Sequence, residues 1–248
     1  MTLSLRQKLM IISLMLYWPA IFILAHIPIP QWVYKAKVSD KSLHFLAYLV
    51  LTFLLWFAIS ANRKVNWRKA AVWWVLLVVV CYGVVDELLQ GYVGRSCDVM
   101  DFFANLVGTF AGLILFSFFT FWPVFLMVIG ITIFTLTNLT RANLADLLPI
   151  TNAMFHLFAY AFFTMLWIRY INLFLPLKPP KLKWIIAVLA LPIGFLLIVK
   201  LFSVILGKDF GAKDVIISLV GITAMVATTC LIDLFHQKFI RKLPAGDT

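Results

Sequence analysis

Residues 82–112 read YGVVDELLQGYVGRSCDVMDFFANLVGTFAG, two apolar runs joined by a short polar turn. In a chain that is otherwise almost wholly apolar, this stretch gathers Asp86, Glu87, Gln90, Arg95, Asp98, Asp101 and Asn105. The runs on either side have the length and composition of membrane-spanning helices, so the polar set falls at a membrane boundary. Holding four acids there is costly and asks for a compensating structure.

The rest of the chain extends the same pattern. Hydrophobic residues make up 64% of its 248 positions and charged residues 12%, and the mean hydropathy is +1.02. A soluble core needs no such apolar excess, so the composition specifies an all-α, polytopic transmembrane bundle. Runs of spanning length occur at 9–29, 42–61, 70–90, 102–120, 122–139, 150–175, 184–206 and 213–235, which predicts about eight helices. Nothing charged lies between Asp101 and Arg141, and only Phe121-Trp122-Pro123 offers a break there. The run Leu9–Ile29 is too long for the apolar core of a signal peptide and reads as a retained first span. The net charge of +11 sits in short loops between apolar runs. That excludes nucleic acid as the partner and fits a positive-inside bias. Cys81, Cys97 and Cys230 are isolated, so neither a disulfide framework nor a thiolate metal site is indicated.

Placing the amino terminus inside puts 13 of the 21 Lys and Arg on the inner side. Both termini are therefore expected in the cytoplasm and the 87–101 turn on the outer face. The chain also repeats. His44-Phe-Leu-Ala-Tyr48 with Thr52 matches His156-Leu-Phe-Ala-Tyr160 with Thr164 at an offset of 112. Gly94-Arg95, Asp101 and Leu106-Val107-Gly108 match Gly207-Lys208, Asp214 and Leu219-Val220-Gly221 at 113, and Trp18-Pro19 recurs as Trp122-Pro123. Four helices per unit make this a parallel repeat, with units at 1–120 and 121–248. The second unit has lost most of the polar set: Asp40, Lys41, Glu87, Gln90 and Asn105 align with Asn152, Ala153, Lys200, Ser203 and Ser218. The first unit is expected to carry the site.

Asp101, Asn105, Gly108 and Gly112 form one helical stripe, in which the GxxxG reads as close helix packing. Asp101 also lies where a helix dipole favours a carboxylate, so capping alone accounts for it as well as chemistry does. Glu87, one turn inside the end of its run, is either an ion-pair partner of Arg95 clamping the turn or a general acid or base. His44, Tyr48 and Thr52 recur every fourth residue at the same membrane level. A lone histidine on an apolar helix is ordinarily a packing residue, but its position beside the acidic turn favours a role in the site. Lys41, Arg95 and the amino end of the fourth helix could hold an anionic headgroup. His44 with Glu87, Asp98 or Asp101 offers ligand types that a metal accepts, but no HxxxH, HExxH or DxD pair fixes a geometry, so no metal and no cofactor are expected. Nothing is assigned to His26 or His236.

The motifs Asp40-Lys41-x-x-His44-Phe45-x-x-Tyr48, Tyr82-Gly83-x-x-x-Glu87-x-x-Gln90, Arg95-Ser96-x-Asp98 and Asp101-x-x-x-Asn105-x-x-Gly108-x-x-x-Gly112 together resemble the VanZ-like membrane proteins, a family named for a teicoplanin-resistance protein. The resemblance covers about residues 10–120, and the remainder is similar only as a degraded second copy. It implies a multi-pass protein of the bacterial cytoplasmic membrane with an envelope-related role, extending to glycopeptide susceptibility. On this reading Glu87, His44 and Asp101 are the candidate catalytic residues. Lys41, Tyr48, Tyr82, Gln90, Arg95, Asp98 and Asn105 would bind a membrane lipid or lipid-linked envelope precursor at the outer leaflet. The alternative is a non-enzymatic protein that binds or moves an amphipath in the cleft between the repeats.

Overall fold

The computed structural model describes residues 3–27, 39–60, 62–93, 98–140, 148–175, 179, 181–208 and 210–240, with side chains up to 235. Among these residues every regular element is a helix: α1 (Leu5–His26), α2 (Asp40–Ser60), α3 (Ala70–Tyr92), α4 (Val99–Phe118), α5 (Phe121–Asn138), α6 (Pro149–Phe174), α7 (Leu182–Ile205) and α8 (Ala212–Ile240). All eight are long and apolar enough to cross a membrane. The chain is a multi-pass membrane protein, and the helical form follows from its solvent. In hydrocarbon each backbone N–H and C=O must find its partner within the segment, which an α-helix provides.

The ends of these helices are set by local chemistry. Ser4 caps α1, and Gln7 returns the bond to form a capping box. Asp98 caps α4 by accepting from the Met100 N–H at 2.8 Å, so the capping carboxylate is Asp98 and Asp101 lies in the first turn. The expected break near Pro123 falls slightly earlier, at Phe119-Thr120. Pro123 is then in the first turn of α5, where a missing N–H removes no helical bond.

Packing divides the chain into two compact units, Met1–Asn143 and Leu144–Thr248. In the first, α2 is the central helix, in contact with α1, α3, α4 and α5. Its most extensive partner is α4, and the approach is close because of one residue: a Cβ on Gly108 would collide with the carbonyl oxygen of Phe45. Below this contact Leu49, Phe53, Phe57, Leu113, Phe116 and Phe121 form the core. Phe125 of α5 stacks on Phe53 with ring centroids 5.3 Å apart. These aromatic contacts hold α5, which opens at residue 121, against the first unit. The described helices of the second unit are α6, α7 and α8. There Gly221 of α8 meets the carbonyl oxygen of Leu157 on α6 as Gly108 meets Phe45. Trp184 is fully buried and donates to Asn172 Oδ1 at 3.1 Å.

Gly108→Ala is expected to force α2 and α4 apart and cost about 1–3 kcal/mol, the usual range for overpacking. Gly194 of α7 has open space where its Cβ would stand, so Gly194→Ala should cost nothing. Thermal unfolding of the two purified variants checks both statements; equal unfolding temperatures would contradict the α2–α4 contact.

Candidate functional site

Four helix ends meet at one end of the first unit because successive helices run in opposite directions. The start of α2 brings Asp40, Lys41, His44 and Tyr48, and the end of α3 brings Tyr82, Asp86, Glu87 and Gln90. The start of α4 brings Asp98, Asp101 and Asn105, and the end of α1 brings His26. The close α2–α4 contact at Gly108 sets the register, so that Asn105, one turn above it, faces His44.

The innermost set is His44, Asn105 and Glu87, which are 7%, 2% and 4% exposed. His44 Nδ1 lies 3.0 Å from Asn105 Oδ1 and 3.6 Å from Glu87 Oε1. Asn105 Nδ2 donates to Glu87 Oε1 at 3.5 Å. Glu87 Oε2 is buried with no hydrogen-bond partner among the described residues. Beside it Gln90 Nε2 donates to Asp86 Oδ2 at 3.2 Å, and His26 Nδ1 stands 3.9 Å from Asp86 Oδ1. The other nitrogen of His44 faces Asp40 at 3.8 Å. The ligand atoms of His44, Asp86 and Glu87 all lie within 4.8 Å of one another, as do those of Asp40, His44 and Asp101.

Nearer the surface, Lys41 Nζ donates to Asp98 Oδ2 at 2.8 Å and to Asp101 Oδ1 at 3.2 Å. Lys41 therefore neutralises the two acids of the α4 start. Its hydrogen bond, followed by that of the Met100 N–H, holds the Asp98 carboxyl below the ordinary aspartate range. Arg95, with Ser96, lies outside the described residues, so the expected Glu87–Arg95 pairing does too.

A cavity of about 420 Å³ opens beside this polar set, reaching Asp40, His44 and Asp86 with Glu87 and Asn105 behind them, and is lined by α1, α2, α3 and α5 of the first unit. Its walls are largely apolar, including Tyr17, Ile21, Leu24, Leu46 and Leu136, while Asp40, His44 and Asp86 supply charge at one side. Tyr48 and Tyr82, stacked at 5.8 Å, also face it. Sequence reasoning missed Asp86 and His26. Asp86 is one position round the helix from the Gly83–Glu87–Gln90 face, and its burial depends on α1, which no local spacing reveals.

Several aligned positions in the second unit bond within it, whereas His156 Nδ1 and the Tyr160 hydroxyl are buried with no hydrogen-bond partner among the described residues. Asn152 Nδ2 donates to Asp214 Oδ1 at 2.8 Å, Ser218 Oγ to the Asp214 carbonyl, Ser203 Oγ to the Lys208 carbonyl and Lys200 Nζ to the Phe210 carbonyl. These bonds tie side chains to nearby groups of the same unit. The buried His156 lies near the buried Asp214, but among the described residues no group of three metal-competent side chains forms there.

Residues 7–121 match the model of the VanZ/LLP1 family. No curated protein and no solved structure matches the chain. The matched segment spans α2, α3 and α4 entire and most of α1, and so contains every residue of the buried set.

Lys41→Met should lower the unfolding temperature more than Asp98→Asn does, because it strands the buried Asp101 carboxylate as well. The Asp98 contribution has a defined pH sign. A carboxyl whose folded pKa is depressed stabilises above its unfolded value, about 3.9, and loses that contribution as pH falls through the lower folded value. The difference in unfolding temperature between wild type and Asp98→Asn should therefore be present at neutral pH and close in acid below about pH 3.9. A difference that persists there would contradict the ion pair.

Proposed function

We propose that this VanZ-like membrane protein takes a lipid-linked or headgroup-bearing envelope molecule into the cavity of its first unit, at the outer leaflet. Both termini lie in the cytoplasm on this reading. The observation that carries it is the pairing of an apolar cavity of about 420 Å³ with a buried imidazole and carboxylates on one wall. Small-molecule sites are commonly apolar pockets with a few convergent polar groups. Here the apolar part matches an acyl or prenyl chain, and the polar wall matches the head to which it is joined.

Within that site Glu87 and His44 serve as the acid–base pair, oriented by Asn105, which touches both. A buried carboxylate with one unpartnered oxygen is poised to accept or supply a proton when a substrate group reaches it. Lys41 is occupied by Asp98 and Asp101 and holds the start of α4, so headgroup recognition falls to the tyrosines and the buried set. Segments 1–120 and 121–248 descend from one four-helix ancestor on this reading, and the second has lost most of the polar set while keeping the packing glycine. An enzyme or binder of envelope lipids would alter surface composition, which connects the site to glycopeptide susceptibility.

Native mass spectrometry of the protein extracted with its lipids tests this. One class of lipid-linked molecule should accompany the wild type and be lost from Leu136→Trp, which fills the apolar end of the cavity. Glu87→Gln should retain the lipid and lose its conversion, with an unfolding temperature near that of the wild type. Identical lipid spectra for wild type and Leu136→Trp would overturn the binding claim, and conversion by Glu87→Gln would overturn the acid–base claim.

A further inference from the structure

We propose that the first unit holds a divalent metal ion between His44, Asp86 and Glu87. One nitrogen and two carboxylate oxygens, from α2 and α3, lie within 4.8 Å of one another. All three residues are buried, at 7%, 3% and 4% exposure. His44 Nδ1 and Glu87 Oε1 are 3.6 Å apart. That is close to the spacing of roughly 3.0–3.5 Å that two ligands of one ion adopt when each metal–ligand bond is about 2.1 Å.

A second observation points to a ligand. Glu87 Oε2 is buried and has no hydrogen-bond partner among the described residues. A buried acceptor in that state costs free energy, and an adjacent cation removes the cost. Asp86 and Glu87 stand beside the imidazoles of His44 and His26, and Lys41 is spent on Asp98 and Asp101.

The surrounding contacts suit an ion on His44 Nδ1. Asn105 Oδ1, 3.0 Å from that nitrogen, is placed as a further oxygen ligand. The proton then resides on Nε2, which faces the Asp40 carboxylate at 3.8 Å. At that distance the carboxylate favours a proton on Nε2 electrostatically without a direct hydrogen bond, a looser form of the carboxylate–histidine–metal pairing. Gln90 in turn orients Asp86 through its 3.2 Å hydrogen bond. A donor set of one imidazole and carboxylate or amide oxygens favours zinc or manganese over thiolate-seeking ions. His44 and Asp86 also line the cavity, so remaining coordination positions open toward whatever occupies it. The inference stands on the ligand geometry and does not require the lipid reading; with an ion bound, His44 Nδ1 and Glu87 would be its ligands, and the acid–base role proposed for that pair would belong to the metal-free protein.

The full-length protein, purified in detergent and stripped with EDTA, is dialysed against Zn²⁺ or Mn²⁺ and its metal measured by mass spectrometry. About one ion per chain is expected for the wild type. His44→Leu and Glu87→Gln should each weaken binding about tenfold or more, by analogy with the 10–100-fold cost of losing even an outer partner. Asp98→Asn, whose carboxylate is paired with Lys41 outside the set, should bind as the wild type does. Absence of a stoichiometric ion in the wild type, or binding that neither His44→Leu nor Glu87→Gln weakens, would overturn the proposal. Zinc X-ray absorption on the wild type alone decides the matter if those variants fail to fold. A shell of one imidazole nitrogen with oxygens supports the site, and a sulfur-containing or all-oxygen shell overturns it. Lipid capture is measured separately, on metal-stripped protein. Loss of the metal site therefore leaves the lipid reading standing, and loss of the lipid leaves the metal site standing.

Discussion

The close approach of α2 and α4 at Gly108 is the constraint from which the rest of the first unit follows. With no side chain at that position, the α4 backbone reaches the carbonyl of Phe45. In a membrane, where lipid tails are as apolar as leucine, such backbone proximity is a principal source of helix–helix attraction. Its geometric consequence is as important as its energy. One turn above the contact, Asn105 meets His44; one turn further, Asp101 meets Lys41. A residue larger than glycine would displace both pairs together.

The cost of the polar set bears on its purpose. Asp86, Glu87 and Asp101 are each at most 4% exposed, in a setting where an uncompensated carboxylate costs several kcal/mol. Asp101 is compensated by Lys41. Glu87 has His44 and Asn105 at Oε1 and the Asp98 backbone amide near its carboxylate, while Oε2 is buried and makes no hydrogen bond of normal geometry among the described residues. Stability alone gives no reason to keep that arrangement. The second unit makes a comparable α6–α8 contact through Gly221 against Leu157, with Asn152 and Ser218 bonded to Asp214 and His156 Nδ1 buried without a hydrogen-bond partner among the described residues.

Much of this was legible in the chain. Eight apolar runs became eight helices, because length and hydropathy decide that outcome with little competition. The stripe Asp101–Asn105–Gly108–Gly112 identified the packing face, and the four-residue spacing of His44, Tyr48 and Thr52 placed them on one side of α2. The roles of Lys41 and Asp86 were not legible. Lys41 lies 57 and 60 residues from its partners, and nothing local says that it neutralises them instead of a ligand. Asp86 depends on where α1 packs, and the three metal-competent residues have no motif spacing because two helices share them. The attachment of α5 to the first unit was likewise hidden, since the aromatic contacts of Phe121 and Phe125 are long-range.

If the His44–Asn105–Glu87 set serves a ligand and is not needed to hold the bundle, the bundle should survive its removal. Thermal unfolding of the triple variant His44→Leu, Asn105→Leu, Glu87→Leu, with lipid analysis of the same sample, asks that question directly. Replacing mutually bonded buried polar groups together by apolar residues is often neutral or stabilising, by up to about 4 kcal/mol, and the remaining Asp86 keeps Gln90 and His26 as neighbours. A ligand-serving set predicts an unfolding temperature equal to or above that of the wild type, with the bound lipid class lost. A lower unfolding temperature with the lipid retained would contradict it and make the set a structural clamp.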